Sequence, residues 1–165
     1  MRVILTFFSI LLIQSIFAQD KTLLKKHLLQ ILIDYPNKFK SLEDPANPFT
    51  LKFSISGTTN NGIIMGSGSQ VYISSSLPLP KSAEDAKTLF QKWTGLIDQI
   101  DFNGVKMTGV SCPSPCDKFT MYSRKWSFDT KRTDLDTKYF PFKIVVQIIK
   151  IGESYAAAIL IGQLE

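Results

Sequence analysis

One histidine, His27, and two cysteines, Cys112 and Cys116, are all that this chain of 165 residues holds of the two side-chain types most used for nucleophilic and metal chemistry. A histidine-activated nucleophile has only His27 to draw on, and His27 flanks the apolar stripe of an expected helix, where a packing or surface role is the ordinary one. A zinc site needs ligands beyond the two thiols, and His27 stands far from them on another element. No metal or cofactor is therefore expected. Three residues separate Cys112 from Cys116, where redox motifs place two, and no thioredoxin-like βαβ pattern surrounds the pair.

Other absences narrow the chain further. The run Gly66-Ser67-Gly68-Ser69 lacks the lysine and the strand-to-helix setting of a phosphate loop. Asp129, Asp134 and Asp136 share one stretch but match neither a calcium loop nor a glycosidase motif, and they alternate with Lys131, Arg132 and Lys138. No residue-level repeat relates the two halves. Beyond residue 18 no stretch is apolar enough to span a membrane.

What is present begins with a leader. Arg2, the largely apolar stretch Val3–Phe17 and Ala18 before Gln19-Asp20 form the three-part pattern of a secretory signal peptide, cleaved near Ala18-Gln19. A membrane anchor is the competing reading, but the stretch falls short of the ~20 apolar residues a span needs and runs at once into Asp20, Lys21, Lys25 and Lys26. The mature chain, 19–165, has the size of one domain, and a secreted or periplasmic location follows. Gln19, not a cysteine, occupies the lipidation position. In an oxidising compartment Cys112 and Cys116 read as a disulfide, worth about 2 kcal/mol because the ring it closes is small.

After loss of Arg2, 18 basic residues face 14 acidic ones, a net charge of +4. Lys118–Lys150 alone holds eight basic and three acidic residues. An exported chain meets no genomic DNA, so no nucleic acid is expected. The anionic partners to consider are an acidic protein, envelope polysaccharide or an anionic membrane surface. Solubility is the plain alternative for these lysines.

Periodicity supplies the fold. Leu24, Leu28, Ile31, Leu32 and Tyr35 mark a helix over about 21–35, stopped by Pro36. Phe49, Leu51, Phe53 and Ile55 alternate along a strand over 49–56, Asn61-Gly62 reads as a hairpin turn, and 63–73 as a second strand interrupted by glycines. Ser82 caps a helix whose stripe runs Ala86, Leu89, Phe90, Trp93, Leu96, Ile97, Ile100, and Gly95 within it hints at close packing. Four strands follow: 105–110, 118–129 with a slip near Ser123–Lys125, 140–151, and 155–161 after a Gly152-Glu153 turn. The expectation is an α+β two-layer sandwich, two helices on one face of a mainly antiparallel sheet of about six strands, in the order α-β-β-α-β-β-β-β.

A slip at Ser123–Lys125 would expose Trp126 beside Arg124 and Lys125, with Lys131 and Arg132 close by, as a flat cationic stacking surface. The opposing reading buries Trp126 in the core. The favoured function is an exported, non-enzymatic binding or interaction module. The alternatives are a secreted hydrolase using acidic residues, which replacement of Asp129, Asp134 and Asp136 would inactivate, and a cell-envelope assembly or stability protein.

Overall fold

The computed structural model describes residues 21–66 and 70–164. The expected leader, residues 1–18, lies outside them, as do Ser67, Gly68 and Ser69.

Helix α1 runs over 21–34 and buries Leu24, Leu28, Ile31 and Leu32, as the 3.6-residue spacing requires. Pro36 ends it in a single 3-10 turn, Tyr35–Asn37. Lys38 and Phe39 then take positive φ, and burial of the whole Phe39 ring holds that bend. Short strands β1 (Glu43–Asp44) and β2 (Asn47–Leu51) form one sheet edge. They are followed by β3 (Thr59–Met65), β4 (Val71–Ser76), helix α2 (Ala83–Asp98), β5 (Thr108–Ser111), β6 (Thr120–Ser127), β7 (Phe142–Ile151) and β8 (Ser154–Gln163). Ser82 caps α2, its hydroxyl accepting from the Asp85 amide at 3.1 Å.

The strands lie in the order β1-β2-β3-β4-β8-β7-β6-β5, and every neighbouring pair is antiparallel. The chain leaves β4 through Leu77–Pro80, crosses in α2 to the far edge, and meanders back until β8 closes on β4. The fold is the expected α+β sandwich, with eight strands in place of six. The added strands come from the first half. Phe49 is 63% exposed and the strand stops at Leu51. Asn61-Gly62 does not turn the chain but lies inside β3. There the Asn61 side-chain oxygen accepts from the Ser75 and Thr58 hydroxyls at 2.7 and 2.8 Å, an inward network that a hairpin tip would forgo. Gly57, at φ +80°, takes the reversal instead. Between β3 and β4 the Gly66 amide donates to the Gln70 carbonyl at 2.9 Å. Nothing lies within 4 Å of where a Cβ on Gly95 would stand, so packing does not require that glycine.

Directly paired residues share a face of the sheet. One face carries the row Gly109, Trp126, Ile144, Ile161, Ile73, and the next row, on the other face, is Val110, Lys125, Val145, Leu160, Ser74. Both helices lie on the first face: Leu24, Leu28 and Ile31 of α1 and Trp93 and Ile97 of α2 join Ile73, Trp126, Ile144 and Ile161 in a single core. Each such aliphatic side chain contributes about 1.5–3 kcal/mol by leaving water.

Candidate functional site

The irregularity in β6 lies between Thr120 and Tyr122, not at Ser123–Lys125. From Tyr122 to Ser127 the strand alternates strictly against β7, so Tyr122, Arg124 and Trp126 face the helices while Ser123 and Lys125 face away. This separates the expected patch. Trp126 is 1% exposed, and its indole N–H donates to Asp98 Oδ1 at 2.8 Å. Arg124 donates to the same oxygen at 2.9 Å and to the Ser111 hydroxyl at 3.3 Å, with its guanidinium 5.4 Å from the Trp126 ring. Gly109 makes room for both, since a Cβ there would meet Arg124 Nε and Trp126 Nε1 at 2.6 Å. Trp126 and Arg124 therefore fasten the end of α2 to the sheet, and the ring offers no stacking platform. The period-two alternation was legible in the sequence, but the bulge position was not, because Met121 and the residues after it fit either register.

Lys131 and Arg132 lie elsewhere, in the connection from β6 to β7. The Lys131 amide donates to Asp129 Oδ1 at 2.9 Å. Arg132 grips Asp134 with two donors, Nε reaching Oδ1 at 2.8 Å, and Lys138 pairs with Asp136 at 2.8 Å. Hydrogen bonds from Arg132 and from Lys138 hold the carboxyls of Asp134 and Asp136 below the usual carboxylate range. A carboxyl held ionised can serve two-carboxylate hydrolysis as base or nucleophile but not as its general acid.

His27 is also committed. Its Nδ1 accepts from the Ser56 amide at 3.1 Å, and its ring lies 4.9 Å from that of Phe53. Burial, and after it the neighbouring Lys26 charge, lower its pKa from the ordinary 6.5. The unfolded chain therefore takes up a proton where the folded chain resists it. Stability is complete above about pH 6.5 and declines as pH falls from there through the lowered folded value. The midpoint of urea denaturation is expected to drop between about pH 7 and pH 5, and His27→Gln should flatten that drop. Asp117, Asp134 and Asp136, lowered from 3.8, contribute a separate loss only in more acidic solution.

Cys112 and Cys116 are bridged, with Cα atoms 5.4 Å apart. The loop they close is tied to β6 by Cys112 N–H to Ser123 O at 3.1 Å and Cys116 N–H to Thr120 O at 2.8 Å. Asp117 Oδ1 accepts from the Phe119 and Thr120 amides, both at 2.8 Å.

The remaining expected residue, Lys125, stands exposed on the sheet face that is helix-free among the described residues. Beside it a concavity of about 360 Å³ is lined by Val110, Ser111, Cys112, Ser123, Lys125 and Val145. Val110 is 65% exposed, and Val145 is buried yet outside the core beneath the helices. Two rows along, Lys143 lies on the same face, its ammonium donating to the Leu164 carbonyl. At the paired positions of β3 to β8 on this face there is no carboxylate among the described residues. Sequence reading missed this surface because Val110, Lys125, Val145 and Leu160 come from four strands and meet only through pairing.

Among the described residues no group of three His, Cys, Asp or Glu is placed to hold a metal ion, and no helix is long and apolar enough to cross a membrane. Compared with known proteins, the chain matches no family model, no curated protein and no solved structure.

Proposed function

We propose that this is an exported, non-enzymatic binding module that presents the helix-free sheet face around Lys125 to an acidic partner protein. The observation that carries the reading is the charge of that face: two lysines, no carboxylate at the paired positions of β3 to β8, and aliphatic side chains between them. A partner carboxylate meeting Lys125 over the apolar floor of Val110, Val145 and Leu160 gains a charge-assisted contact while covering apolar area. The bridged loop supports the reading twice, since a disulfide belongs to an oxidising compartment and stiffens one wall of the concavity. The commitment of Asp134, Asp136 and His27 to structural hydrogen bonds favours binding over hydrolysis.

The test is zero-length carbodiimide cross-linking of the mature domain in its own secretome or periplasmic extract. The expected result is one acidic protein joined through its Asp or Glu to Lys125, weakened by salt, and lost in Lys125→Glu but kept in Lys131→Glu. Equal capture by wild type and Lys125→Glu refutes the surface. Retention on anionic vesicles or polysaccharide without a protein cross-link refutes the choice of partner.

A further inference from the structure

The chain has three pairs of consecutive basic residues: Lys25-Lys26, Arg124-Lys125 and Lys131-Arg132. Two are locked into regular structure. Lys25-Lys26 lies within α1, and Arg124-Lys125 lies in β6 with laddered neighbours on both sides. Endoproteases bind the residues around the scissile bond as an extended strand, which neither a helix nor a doubly paired strand can supply. Lys131-Arg132 is different. From Asp129 to Asp136 the backbone joins no strand, and only Arg132 and Leu135 of that stretch are even partly buried. It is held by the Asp129 turn, with Arg132 N–H to Asp129 O at 3.2 Å, and by the Arg132–Asp134 ion pair, whose side chains are 32% and 60% exposed. Such surface pairs are worth about 0–1 kcal/mol, so the part before Leu135, which packs against the core, can open locally with that packing kept.

We propose that Lys131-Arg132 is a processing site for a serine endoprotease of the secretory route that reads two consecutive cations, and that cleavage falls between Arg132 and Thr133. Water adds across that peptide bond, leaving a carboxylate on Arg132 and an amino group on Thr133. This inference rests on the export reading, since such proteases act on exported chains. The cut protein stays one particle. The piece beginning at Thr133 carries β7 and β8, which sit between β6 and β4 and bury Phe142, Ile144, Val146, Ile148, Ile159 and Ile161 at 0% exposure. The disulfide lies entirely in the upstream piece, so packing and strand pairing alone hold the two together.

The experiment treats the purified folded protein with a purified subtilisin-like endoprotease specific for dibasic sites, in parallel with urea-unfolded protein. The expected product has a single new N-terminus at Thr133, two bands on a denaturing gel and one peak on gel filtration. Arg132→Gln breaks the pair with Asp134 and so loosens the loop, yet it should slow cleavage more than about tenfold, because the protease loses its cation. Asp134→Asn loosens the loop and keeps the cation, and should be cut faster than wild type. First cleavage at Lys25-Lys26 or Arg124-Lys125 overturns the proposal. So does an intact native chain when the unfolded chain is cut after Arg132. The export reading fails separately, if protein recovered from its own cells keeps Met1 in place of a Gln19 N-terminus.

Discussion

Trp126→Ala is expected to lower folding stability by about 3–5 kcal/mol, the usual cost of truncating a fully buried aromatic side chain. The ring is 1% exposed, and its N–H is one of two donors on Asp98 Oδ1, so truncation both opens a cavity and frees the sheet-side anchor of α2. Urea unfolding followed by the fluorescence of Trp93, buried at 4% exposure, measures it without the lost chromophore. In a thermal melt the same loss should lower Tm by about 10 °C or more. Trp126→Phe, which keeps apolar volume but not the N–H, should fall between wild type and Ala. A cost below about 1 kcal/mol for Trp126→Ala would place the ring at the surface, where truncations are nearly neutral, and would restore the stacking patch.

Gly162→Ala is the second large effect, and it acts on the joint between the two halves of the sheet. Gly162 of β8 pairs with Tyr72 of β4 at φ +138°, and an added Cβ would stand 2.6 Å from the Val71 carbonyl oxygen and 2.9 Å from Tyr72 Cα. Those are backbone atoms, which cannot swing aside as a side-chain tip does. Backbone strain of about 1–3 kcal/mol adds to overpacking of about 1–3 kcal/mol. Because β4·β8 is the pairing that joins β1–β4 to the β5–β8 meander, the wedge should also raise amide exchange along both strands. The control is Gly152→Ala, also at positive φ but with nothing within 4 Å of the new Cβ. It should cost about 1–2 kcal/mol, the penalty for an L residue in that region alone. Equal losses at the two positions would remove the clash from the argument.

The legible parts of the fold were those written in local periodicity. Helix α2, with its Ser82 cap and apolar stripe, and strands β7 and β8 around Gly152-Glu153 follow from hydrophobic spacing and turn chemistry confined to neighbouring residues. The first half was harder, because Asn61-Gly62 is a strong turn signal whose side chain found better partners inside a strand, in Ser75 and Thr58. The candidate site was harder still. A shift of the bulge by two or three residues decides which side of the sheet Arg124, Lys125 and Trp126 face, and local composition carries no information about that.

By itself, the order of residues determined the fold class, the helix boundaries and the concentration of basic charge in the C-terminal part of the chain. Each of these depends on spacing within a few turns of helix or strand. Tertiary structure alone decided that Asp98 takes both Arg124 and Trp126, that Lys125 lies between Val110 and Val145, and that Lys131-Arg132 is the basic pair left outside helix and ladder. The reason is that a sheet brings together residues far apart in sequence through register, and register is set by the packing of the whole core.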